Sequence, residues 1–220
     1  MTLTKNTEIL RAEVAAHIKA DALVRGSYWN WKPNENAVGG QGCFISCLTH
    51  TEDPAPAFER FGLPVEVLRI AENIFEALPD DEGIAFYAAL PDAVERDGKD
   101  LGRVHWGFLA SELRALPQTT DAVQSVIDPV IAGMDLMAKG CEWANAADAA
   151  ARAYDAADAA DAGYAAARAA YAACAAARAA ARTGYAAHAD AAARAADAAG
   201  AYAAARLRQR DTVLRLISTS

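Results

Sequence analysis

The stretch ANAADAAARAYDAADAADAGYAAARAAYAACAAARAA, residues 144–180, decides the fold. From Ala144 to Ala205 about three residues in five are alanine, far above ordinary usage. Alanine loses no side-chain entropy on entering a helix and buries no polar group, so this composition predicts helix. Asp148 precedes Arg152, and Asp190 precedes Arg194, by about one helical turn, the acid-first order that favours an ion pair. Tyr164, Tyr171, Arg178 and Tyr185 recur every seven residues and keep long side chains in one stripe between alanine surfaces.

A single helix from Cys141 to Ile217 would exceed roughly 100 Å at about 1.5 Å per residue. The chain is therefore expected to turn back as an antiparallel hairpin. Thr183-Gly184 is the best place for the turn, because glycine supplies the left-handed backbone that ends helices; Gly163 and Gly200 are weaker places. Leu207, Val213, Leu214, Leu216 and Ile217 return to large apolar residues and are expected to pack back on the N-terminal part.

Upstream, Ile9, Leu10, Val14, Ile18 and Leu23 recur at helical spacing after Asn6 and Thr7, either of which suits a cap. Residues 25–42 break the pattern with glycine, asparagine and proline and read as a loop carrying Tyr28, Trp29 and Trp31. Short helices are expected from Cys43 to Leu48, from Pro64 to Leu78, from Asp80 to Val94 and from Leu101 to Leu116. Another follows Thr119 or Thr120, with Pro129 as a place to kink. No two-residue alternation suggests a sheet. The reading is an all-α protein: residues 1–140 as a bundle of short helices, and 141–220 as the alanine-rich hairpin packed on it.

The net charge of -8 is spread along the chain without a cluster of Lys and Arg, which argues against a nucleic-acid partner. Arg and Asp punctuate the alanine segment too often for it to cross a bilayer, and residues 1–10 lack a leader-like apolar run. A cytoplasmic protein without a membrane partner is expected. Cys43, Cys47, Cys141 and Cys174 are expected to be reduced thiols.

Gly39-Gly40-Gln41-Gly42-Cys43 is the most function-like element. Flexible glycines let backbone amides approach a ligand, and a helix start favours an anion or thiolate. Gly40, Gln41 and Gly42, with the aromatic Tyr28, Trp29 and Trp31, are the binding candidates, since such aromatics dominate interaction hot spots. Cys43 and Cys47 are candidate nucleophiles with His105 as a base. Cys43, Cys47 and His50 would share one face of a continuous helix and form a metal face, completed by Cys141, His17 or His105. The competing reading is structural: two small buried thiols and a histidine at a helix end. No cofactor is implied.

Gln41-Gly42, Ser46 and Cys47 are similar to part of the papain-family signature, although Phe44, Ile45 and Leu48 stand where that family has Cys, Gly and Trp. With Gly42-Cys43, Cys47 and the alanine-rich tail together, the layout resembles uncharacterised phage and proteobacterial proteins with a G-C-x-x-x-C element. That resemblance implies a phage-encoded protein acting in a host cytoplasm. The expected function is non-enzymatic binding or inhibition of a host protein, such as a defence protein, with self-association through the alanine-rich helices as a further mode. The alternative is a Cys-dependent small-molecule enzyme centred on Cys43 or Cys47.

Overall fold

A computed structural model describes residues 3–20, 22–26, 40–116, 120–159 and 202–220. Among these, helices follow one another, with isolated bridges that include Leu3 with Asp100 and Leu23 with Gly42. The protein is all-α. The expected turns at Gly163, Thr183-Gly184 and Gly200, and the stripe from Tyr164 to Tyr185, lie outside the described residues.

Packing divides the chain into two units, Met1–Gly102 with Val213–Ser220, and Arg103–Thr212.

In the first unit, α1 (Thr7–Lys19) buries Leu10, Val14 and His17 along one stripe. Its N-terminus is not capped by Asn6, which has left-handed backbone and makes no side-chain cap. Asp97 does that work instead, accepting from the Thr7 amide at 2.8 Å and the Thr7 hydroxyl at 2.6 Å. Those hydrogen bonds hold the Asp97 carboxyl below its usual pKa. After α1, α2 (Phe44–Thr49), α3 (Ala55–Phe61), α4 (Val65–Ala77) and α5 (Asp80–Val94) follow. Pro64 and Pro79 stand immediately before α4 and α5, where a missing N–H costs nothing. Asp80, Asp81 and Glu82 in the first turn of α5 favour its dipole.

Phe44 sits at the centre of this core. Its ring lies 5.1 Å from Tyr87, 5.5 Å from Phe86 and 6.0 Å from Phe75, centroid to centroid. The N-terminal segment is sewn in by backbone bonds from Thr4 to Lys99 and from Lys5 to Phe61. Val213 and Ile217 are buried in the same unit, as the return of large apolar residues near the end predicts.

The second unit contains α6 (Val104–Arg114), α7 (Asp121–Ala138), α8 (Ala146–Ala159) and the first part of α9 (Tyr202–Ser218). Thr120 caps α7, its side chain accepting from Val123, and the helix runs on through Pro129. On α8 it is Ala146, Ala149, Ala150 and Ala153 that are buried, one face of the helix at helical spacing. Small side chains let neighbours approach closely. Gly133 on α7 shows this in the extreme, since a Cβ there would stand 2.2 Å from the Trp143 ring.

Candidate functional site

Residues 22–26 and 40–43, at the two ends of the 25–42 segment, come together. The chain leaves α1 through Ala22, whose amide donates to the carbonyl of His17 at 3.0 Å. It then meets the far end of the loop: the Gly42 amide donates to Ala22 O and the Val24 amide to Gly42 O, both at 2.9 Å. Leu23 and Gly42 thus form a parallel bridge, a clamp closing the loop on itself.

Groups on α4, on α5 and between them hold Arg25 and Gly26. Arg25 Nε donates to Asp80 at 2.6 Å and one terminal nitrogen to the carbonyl of Leu78 at 2.6 Å. The Gly26 amide donates to Glu76 at 2.6 Å, which pulls that carboxyl's pKa down while burial pushes it up more strongly. Between these groups lies a recess of about 350 Å³ lined by Leu23, Val24, Arg25, Phe75, Asp80 and Ile84.

The two thiols sit under this clamp. Cys47 Sγ lies 3.3 Å from the carbonyl of Gly42 and 3.4 Å from that of Ala22, so its single S–H is shared between the two sides of the clamp. Burial pushes its pKa up to about 12, so at neutral pH it is a thiol. Cys43 Sγ donates to Glu72 at 3.0 Å and lies 3.2 Å from the Ser46 hydroxyl. Burial raises its pKa, the Glu72 carboxylate adds to the rise, and Ser46 opposes it. Neither environment generates the thiolate that a nucleophile needs.

The single-face geometry expected of Cys43, Cys47 and His50 is not formed. Cys43 is the residue before α2 with extended backbone, and His50 is the residue after it at φ 58°. The face argument requires one continuous helix, and α2 is shorter than that span. Among the described residues no three His, Cys, Asp or Glu side chains are placed to hold a metal ion. His105 belongs to the second unit, on α6, with its ring 4.1 Å from that of Trp106.

Of the binding candidates, Gly40 and Gln41 are half-buried and Gly42 is buried in the clamp. Tyr28, Trp29 and Trp31 lie outside the described residues. Ala22, Arg25, Glu72 and Glu76 also belong to this cluster, and none of them stands out in the sequence. Glu72 and Glu76 are one turn apart on α4, a local signal that both face the same neighbour; nothing local marks Ala22.

No protein-family model, curated protein or solved structure matches the chain. Among the described residues no helix is long and apolar enough to cross a membrane.

Proposed function

We propose that the protein works by binding another protein through the 25–42 loop, with the G-C-x-x-x-C element as the lock that fixes the loop's base. The observation that carries this reading is the double hold on the loop. Leu23–Gly42 closes its ends, and Cys47 bonds to a carbonyl from each side. A recognition loop whose ends are fixed loses less conformational freedom on binding, which favours affinity. The loop's Tyr28, Trp29 and Trp31 supply the residue types that anchor interfaces.

The raised thiol pKa values weigh against the alternative of a Cys-dependent small-molecule enzyme. The resemblance to phage proteins points to a host protein, such as a defence protein, as the partner, and to the host cytoplasm as the place of action. Capture from a lysate of the host bacterium tests this. The wild-type protein should retain one partner at a stoichiometric ratio, and the Trp29→Ser/Trp31→Ser variant should lose it by about tenfold or more. Equal capture by the variant, or no stoichiometric partner, would overturn the reading.

A further inference from the structure

His17 and His50 face each other across the two elements that carry the clamp. His17 is in the last turns of α1, just upstream of Ala22–Val24, and His50 follows the last residue of α2, a helix that starts directly after Gly42-Cys43. Their ring centroids are 6.0 Å apart. His17 is buried, and its Nδ1 lies 3.0 Å from the Tyr87 hydroxyl on α5. Its own carbonyl receives the Ala22 amide, and Ala22 in turn receives Gly42 and Cys47. One residue therefore links the aromatic core to the loop's base.

We propose that the His17–His50 pair is a pH-sensitive latch: taking up a proton on His17 opens the Leu23–Gly42 clamp and frees the base of the 25–42 loop. The groups acting on His17 are Glu13 on its own helix, His50 at the end of α2, Arg60 on α3, and the hydroxyl of Tyr87 on α5, which itself senses Cys47 on α2. Of these, only Glu13 favours the charged ring, and it is paired with Arg60. Burial first, and then the like charge of His50, keep His17 below its ordinary 6.5.

Once protonated, both ring nitrogens are donors, so Nδ1 can only donate to the Tyr87 oxygen. The imidazolium also meets His50 and Arg60. Opening between α1 and α2 relieves that repulsion and rehydrates the charge. The sign follows: the opened state binds more protons, so the closed clamp is stable above the ordinary histidine range and weakens as pH falls through it.

The use of the latch in partner binding rests on the reading above, but the opening does not, and it is measured without a partner. Amide hydrogen exchange on the full chain, corrected for intrinsic rates, is compared at pH 7.5 and 5.5. The Val24 and Gly42 amides should lose protection about tenfold more than core amides such as Leu68 and Phe86. In His17→Gln, which can still bond Tyr87 but does not titrate, that excess should vanish. Should His17→Gln fail to fold, His50→Asn decides, since asparagine tolerates the left-handed backbone there: with the like charge gone, closed His17 takes up its proton more readily and the excess at pH 5.5 should shrink. Uniform loss across the unit, no loss at Val24 and Gly42, an excess that persists in His17→Gln, or an excess that His50→Asn leaves undiminished would each overturn the latch.

Discussion

The ammonium of Lys99 donates to the carbonyl oxygen of Ser218 at 2.9 Å, and lies 3.4 Å from that of Ala93. A single buried cation thus closes the C-terminal ends of α5 and α9, where helix carbonyls lack partners and the dipole is negative. Lys99→Met keeps the length of the side chain and removes the charge and the donors. It should lower unfolding free energy by about 2 kcal/mol, read from the urea midpoint at unchanged slope. An unchanged midpoint would show that water serves these carbonyls equally well.

Gly62 and Gly26 both have left-handed backbone, with φ of 69° and 67°. A Cβ at Gly62 would stand 2.1 Å from the Leu3 carbonyl oxygen, whereas at Gly26 it would meet nothing within 4 Å. Gly26→Ala should therefore cost only the conformational strain, about 1 kcal/mol. Gly62→Ala should cost about 3 kcal/mol or more, because the N-terminal segment must move. Equal losses in thermal or urea unfolding would contradict the steric argument.

Cys47 is wholly buried with its pKa pushed up to about 12, and Cys141 is exposed. Iodoacetamide at pH 8 followed by peptide mapping should find Cys141 modified before Cys43 and Cys47. Cys47 should be modified only in denaturant, because alkylation needs an accessible thiolate. Labelling of Cys47 or Cys43 in the native protein at or above the rate of Cys141 would restore the thiol-enzyme reading.

Glu112 is 1% exposed and accepts from Gln209 at 2.9 Å and from Arg208 at 3.1 Å. Burial raises its pKa, and the opposing pull of Gln209, Arg208 and Arg206 is the lesser effect. The folded state therefore holds this proton more tightly than the unfolded chain. This contribution to stability is lost as pH rises through the window between the ordinary value of 4.5 and the raised one. Relative to Glu112→Gln, which cannot ionise, the wild type should lose stability between pH 4 and pH 8. A wild-type-minus-variant difference that stays constant across that range would refute the assignment.

Several helices could be read locally because their causes are local. Pro64 and Pro79 mark the starts of α4 and α5, Thr120 caps α7, and alanine makes α8 helical wherever it packs. The site was legible only as a region. Gly42 and Cys47 meet at the clamp, whereas Cys43 bonds Glu72 and lies beside the Ser46 hydroxyl. The spacing argument assumed a helix from Cys43 to His50, and the α2 helix begins one residue later and ends one residue earlier.

The all-α class and the starts of α4, α5 and α7 follow from local sequence, since propensity, caps and prolines act within a turn or two. Tertiary structure alone decided that Asp97 caps α1 and that Lys99 holds Ser218. It alone decided too that Ala22 meets Gly42 above Cys47. Each of those joins residues far apart along the chain, and no local periodicity encodes which distant donor will arrive; only the closed core brings it there.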